Sequence, residues 1–278
     1  MTRFAIAFSS LVLASLALVG QAQAMVDDRD VARLVSFGGS CGKCDLSGRK
    51  LTGARFTGAA FADAVFVGSD LRGSTFMGSN FQRVHMTGAD LRGASIAGSD
   101  FSAADFTGAR LDGLDAPAAN FMRANFTGAT LTGAELPSAN LMFANLTTAR
   151  FDGAEMPRAK MIHVTGVRTN FSSAELDGAL LSTSRFDKAS FRGASLDRAI
   201  LTGANLSGAR GLRQDQLDEA CGDDKTRLPA GLKVKACRRT MILRGVVPPV
   251  PPTGRIAPPK PPAPPSRPSS AQIIASGR

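Results

Sequence analysis

The chain has no tryptophan and no tyrosine, and its two histidines are His85 and His163. Its aromatic residues are seventeen phenylalanines, so no ring brings a polar atom that a core would have to satisfy. G-x-S-x-G, a Walker loop and a dinucleotide fingerprint are all missing. With so few histidines and no nucleophile motif, the sequence offers no constellation for catalysis, cofactor binding or a metal centre. We therefore expect no enzyme. Cysteine is also scarce: Cys41, Cys44, Cys221 and Cys237 are the whole complement.

Long apolar runs are nearly absent as well. The exception is residues 4–20, which follow Arg3 and lead to Ala22-Gln23-Ala24. That order of charge, apolar stretch and A-x-A site reads as a secretory signal over residues 1–24. The run is short for a membrane span and no stop-transfer pattern follows, so the mature chain is expected to be periplasmic or secreted, without a transmembrane segment.

What the sequence has instead is a period of five. From Asp70 to Phe101, large apolar residues recur at Leu71, Phe76, Phe81, Met86, Leu91, Ile96 and Phe101. Five residues advance an α-helix by a net ~140°, which scatters these side chains around the axis. On a flat strand an odd spacing sends successive residues to opposite faces. A chain that buries every fifth residue must run straight briefly and then turn, repeatedly, and the intervening Gly, Ser and Asn supply the turns. The phase holds from Leu46 to Leu206 without insertion or deletion, and only Ala116 and Gly166 interrupt the large residues. Two positions earlier in each unit, from Cys44 to Ala204, Ala or Ser predominates. Residues two apart on an extended segment point the same way, so the large and small positions share one interior.

Stretches such as "GADLRGASI" and "ANFTGATLTGAELPSANL" resemble the pentapeptide-repeat family. The resemblance implies an all-β, right-handed, four-sided parallel β-helix with five residues per side and 20 per coil. The sequence carries its own sign of four sides. Pro117, Pro137 and Pro157 recur at 20, as do Asp115, Glu135, Glu155 and Glu175, and so do Arg72 and Arg92. The core exceptions compensate locally. Leu114 enlarges the small position beside Ala116, and Val164 does so beside Gly166, which keeps interior volume nearly constant.

The expected organisation is a signal peptide (1–24), an N-terminal cap (25–45), the repeat helix (46–210), a C-terminal cap (211–245) and a disordered tail (246–278). Short helices are expected to cover the two open ends, over Asp27–Gly39 and within "LRQDQLDEACGDD", the latter closed by Gly222. From Val246 the proline-rich composition cannot build a core. The cysteines lie in pairs near the two ends of a rod about 40 Å long, too far apart to converge on one zinc. Cys41-x-x-Cys44 also lacks the context of a thioredoxin-like redox motif. In an oxidising compartment two local disulfides, Cys41–Cys44 and Cys221–Cys237, are the simplest account.

The net charge of +10 is unevenly placed. Between Lys225 and Arg278 there are eleven Lys or Arg and no acid, which leaves the rest of the mature chain nearly neutral. The basic segment has no stacking aromatics, so nucleic acid is not the expected partner, and an anionic envelope component is a better match. The DNA-mimicking, topoisomerase-binding role known in the family would need a strongly acidic surface and a cytosolic location. Threonines such as Thr107, Thr127 and Thr147 form one file, but no second unbroken file adjoins it as an ice-binding face would require. Asp115, Glu135, Glu155 and Glu175 form the expected binding stripe, for cations or a basic partner, a corner column of like charges about 5 Å apart beside the prolines. Two functions follow as expectations: a structural interaction rod with a protein partner, or an envelope-binding module attached through its cationic tail.

Overall fold

The computed structural model describes residues 39–237. The signal peptide, all but the last residue of the helix expected over Asp27–Gly39, residues 238–245 of the expected C-terminal cap and the proline-rich tail lie outside the described residues. Within them the chain winds into a four-sided parallel β-helix. Each outward residue at the middle of a side pairs in parallel with the residue 20 further on, as in Asp70↔Asp90↔Arg110↔Thr130↔Arg150. Four such files run along the rod, one on each flat face.

Each five-residue unit builds one side and one corner. A large residue and the small residue three positions after it flank a β-turn closed by a backbone hydrogen bond, such as Ala94 N–H to the Leu91 carbonyl at 3.0 Å. The third residue of the unit takes a positive φ at every corner from Lys43 to Gly203. Glycine reaches that left-handed region without a Cβ penalty, and it occupies about half of these corners. The large and small positions both face inward. Phe56, Phe76, Phe121 and Leu131 are fully buried, as are Ala94, Ala124 and Ala134. Phenylalanines 20 apart stack coil on coil, with Phe56 over Phe76 at 4.7 Å and Phe106 over Phe126 at 5.0 Å.

The second residue of each unit explains the Asp/Asn preference just before each large position. Its N–H points along the turn with no backbone carbonyl to meet, and a side chain two residues back accepts it. Thus Thr127 N–H donates to Asn125 Oδ1 at 3.2 Å and Thr147 N–H to Asn145 Oδ1 at 3.1 Å. This is an Asx-turn repeated along the rod. A buried serine at the small position donates to a carbonyl of the coil before it, as from Ser184 to Met161 at 2.6 Å, or of its own turn, as from Ser69 to Phe66 at 2.8 Å.

Three details differ from expectation. Regular pairing is already present at Ser40↔Ala60, so the first coil takes in residues assigned to the N-terminal cap. Cys41 and Cys44 fill the large and small inward positions of that coil's first corner, with Lys43 at its left-handed residue. At the other end no α-helix forms across "LRQDQLDEACGDD". A single 3-10 turn spans Asp215–Leu217, and Cys221–Gly222 is a strand, β1, paired in parallel with β2 at Lys235–Ala236. The last coil explains why. Its carbonyls and backbone edge need partners, and a compact turn followed by a strand provides both. The buried Gln216 Nε2 donates to the carbonyls of Phe191 (2.8 Å) and Ala194 (2.6 Å). Leu217 and Ala220 close over the core, and Cys221 resumes the file of Ile200.

Candidate interaction surfaces

The predicted acidic column is a register fact. Asp115, Glu135, Glu155 and Glu175 pair successively, Asp115↔Glu135↔Glu155↔Glu175. It lies along the middle of a flat face, not at a corner. Corners are taken by the second and third residues of each unit, so the residue before a large position is always mid-face. Three coil steps spread the four carboxylates over about 14 Å.

The prolines stand at the corner beside them, as second residues of the turn, where a fixed φ near −65° suits the backbone. Their effect on the carboxylates is chemical. A proline has no N–H, so the residue two before it has no turn donor to accept. At Glu135 and Glu155 the Asx-turn becomes unnecessary, and a longer acid can replace Asp or Asn without leaving a backbone donor bare. Asp115 accepts from the Ser95 hydroxyl at 2.9 Å. Glu135, Glu155 and Glu175 are exposed and make no ion pair among the described residues. Arg158 and Lys160, the nearby bases, are also exposed and do not close onto them.

Other carboxylates are committed to the rod. The Arg92 guanidinium binds Asp90 at 2.6 Å and, against a smaller effect of burial, holds its carboxyl below the ordinary range. Asp70 is held down in the same way by Arg72, and Asp63 by Arg83 one coil above. Burial alone would push the Asp105 carboxyl up, but hydrogen bonds from Thr107 and Thr87 outweigh it and bring it below the ordinary value. The file of Thr107 and Thr127 is likewise spent internally, accepting from Asn125 at 2.9 Å and Asn145 at 3.0 Å.

All four cysteines are in disulfides, Cys41–Cys44 with Cα atoms 5.5 Å apart and Cys221–Cys237 at 4.8 Å. The first staples a corner of the first coil; the second ties the end of β2 to β1. His85 and His163 are both exposed and lie about four coils apart, His85 on a face and His163 at a corner, so they cannot share a ligand. No group of three or more His, Cys, Asp or Glu among the described residues is placed to hold a metal ion. Nor is any helix there long and apolar enough to cross a membrane.

One surface feature has no counterpart in the sequence reading. At one corner Phe143 stands exposed with φ 61°, its ring stacked on His163 at 4.9 Å and the Arg123 guanidinium 5.9 Å from its centroid. Thr183 Oγ1 lies 3.0 Å from His163 Nδ1 and continues the ladder. A period-of-five reading marks these positions only as solvent-facing. The signal available was their recurrence at 20.

The geometry defines a solenoid of extended outer files on four flat faces, and the fully buried side chains among the described residues are apolar or hydroxyl-bearing, with the Gln216 amide at the closing end. Family models of pentapeptide repeats match residues 42–95 (nine copies) and residues 119–156 and 174–210 (eight copies). The chain belongs to the pentapeptide-repeat family, whose members fold as right-handed quadrilateral β-helices and are generally non-enzymatic scaffolds. Similar solved structures include trypsin-treated QnrB1, a plasmid-mediated fluoroquinolone resistance protein. It is 21% identical, with a TM-score of 0.35, over 66% of this chain and 91% of that one. HetL, involved in heterocyst differentiation regulation in the cyanobacterium Nostoc sp. strain PCC 7120, is 23% identical with a TM-score of 0.25, over 73% and 100%. A pentapeptide-repeat protein of the Arabidopsis thaliana thylakoid lumen is 19% identical with a TM-score of 0.13, over 73% and 89%. These likenesses concern the fold alone. No curated protein matches the chain.

Proposed function

We propose that the chain is a non-catalytic interaction rod of the bacterial cell envelope or secreted fraction, and that a protein partner with a basic surface docks on its acidic face. The observation that supports this reading is the file of Asp115, Glu135, Glu155 and Glu175. Three of these carboxylates are exposed and spent on nothing in the rod, whereas Asp70, Asp90 and Asp105 are all engaged. Like charges at coil spacing repel one another, and a basic partner would relieve that repulsion on binding. The flat face suits broad contact and encloses no substrate. The test is cross-linking in the native host with the parent chain and with a Glu135→Gln, Glu155→Gln variant. Loss of the recovered partner in the variant supports the reading, and undiminished recovery overturns it.

A second reading has its own observation. Lys225, Arg227, Lys233 and Lys235 at the C-terminal end are exposed, and they begin the run of bases without acids that continues to Arg278. On that reading the chain is an envelope-binding module held to an anionic polymer or surface by its C-terminal segment. Deleting residues 245–278 separates the two. Envelope association that survives the deletion removes the second reading's main support.

A further inference from the structure

Over the last coils of the rod a groove of about 580 Å³ opens on the outside, lined by Arg168, Thr169, Asn170, Lys188, Ser190 and Arg210. Arg168 and Lys188 stand one coil apart at the same corner, and Arg210 stands on the adjoining face above Asn170 and Ser190, which pair in the order Asn170↔Ser190↔Arg210. Three cations thus converge on one concavity. The geometry points to a binding site for a phosphate group, either free or as a terminal monoester, held between Arg168, Lys188 and Arg210.

The first argument is the corner itself. In five earlier coils this left-handed position is glycine: Gly48, Gly68, Gly88, Gly108 and Gly128. It then becomes Thr148, Arg168 and Lys188, with φ of 58°, 56° and 57°. A side chain here carries a backbone cost that glycine avoids. At four of those glycines an added Cβ would touch nothing, so no packing need calls for a larger residue at this corner. Long cationic side chains at Arg168 and Lys188 build one wall of the groove.

The second argument is charge. Among the described residues none of the three bases makes an ion pair. The nearby carboxylates, Asp187 beside Lys188 among them, pair with none of the three. Asp152 is bound by Arg150 at 3.1 Å and accepts from Asn170 Nδ2, and the Asp187 carboxylate lies against Gly208. Cations one coil apart repel, and an anion between them removes that repulsion.

The floor narrows the ligand class further. Ser172 Oγ donates to Asn170 Oδ1 at 2.6 Å, so in the 3.0 Å contact between Ser172 and Ser190 it is Ser190 that donates. Thr169 donates its hydroxyl to the Leu146 carbonyl. The floor is therefore a fixed polar network with few donors to spare, and recognition falls to two guanidinium forks and one ammonium. That set suits a tetrahedral dianion offering several acceptor oxygens better than a single carboxylate. The inference is independent of the acidic face and of the tail.

The test titrates the full chain with inorganic phosphate by calorimetry, at constant ionic strength set with chloride. The variant is Arg168→Gly, Lys188→Gly, which restores the residue of the earlier coils and so keeps the fold while removing two cations. Wild type should bind phosphate with one site and should bind it less tightly at pH 5.5 than at pH 8, as the dianion is lost. The variant should bind about tenfold more weakly for each cation removed. Arg72→Gln, about five coils away along the rod and paired with Asp70, should leave phosphate binding unchanged. Equal phosphate binding by wild type and the glycine variant, or none by either, would overturn the assignment. Glycerol phosphate and dimethyl phosphate distinguish the source. Binding of the monoester alone supports a terminal phosphate, and equal binding of the diester refutes the dianion argument.

Discussion

Gly166 is the sharpest test of how this core is packed. It occupies a large inward position, and a Cβ added there would lie 2.6 Å and 2.8 Å from two carbons of the Phe186 ring and 3.2 Å from Thr169 Oγ1. Carbon atoms in good contact sit about 3.5–4.0 Å apart, so the ring must move by about 1 Å. It has little room, because Phe171 and Phe191 meet it edge-on at 5.8 Å and 5.5 Å. Overpacking of this kind costs about 1–3 kcal/mol, and the reduced freedom of the unfolded chain returns about 0.4–1 kcal/mol of it. Gly166→Ala should therefore destabilise by about 1–2 kcal/mol, which for a domain of this size lowers the melting temperature by about 2–8 °C. Urea and thermal unfolding followed by circular dichroism measure it. The partner substitution is Phe186→Leu, and the double variant should cost clearly less than the sum of the singles, since the smaller side chain makes room for the methyl group. A neutral Gly166→Ala, or strict additivity with Phe186→Leu, would refute the claim that ring and glycine share one volume.

Gln216→Leu should cost about 2 kcal/mol, because it strips the carbonyls of Phe191 and Ala194 of their donor. Hydrogen exchange should then rise in the last coil and stay unchanged near Phe121. Cys221→Ser with Cys237→Ser opens a 16-residue loop and should lower stability by about 3 kcal/mol on the chain-entropy model, read from the urea midpoint. For pH, Asp105 and Asp90 have carboxyls held lower when folded than when unfolded. Their contribution is complete above the unfolded carboxylate range, near pH 4, and is lost as pH falls through the folded values. Stability measured from pH 7 downward should be level and then decline below about pH 4, and Asp105→Asn should blunt that decline.

Much of this molecule was legible in the sequence because its fold is a short rule applied many times. Large and small inward positions were readable from Leu46 to Leu206, but the neighbour that fills the space at Gly166 was not, because it is the Phe186 ring one coil on. The acidic file was readable from its spacing of 20. Its place on the face was not, because that depends on which residues form the turn. The ends were read less well. Local propensity in "LRQDQLDEACGDD" favours a helix, yet the bare carbonyls and backbone edge of the last coil favour Gln216 in a tight turn and a strand after it. The Phe143–His163 ladder and the cationic groove went unread for a related reason. Their members lie about 20 residues apart and become neighbours only once the coils stack.

The sequence by itself determined the period, the inward and outward sides of every unit and the positions of the turns, since steric and solvation preferences act over a few residues. Only the tertiary structure decided which outward residues became neighbours and which carboxylates were spent or spare. It also decided how the last coil is closed. Those outcomes depend on contacts between successive coils and on the unsatisfied groups at an end, which no single five-residue unit contains.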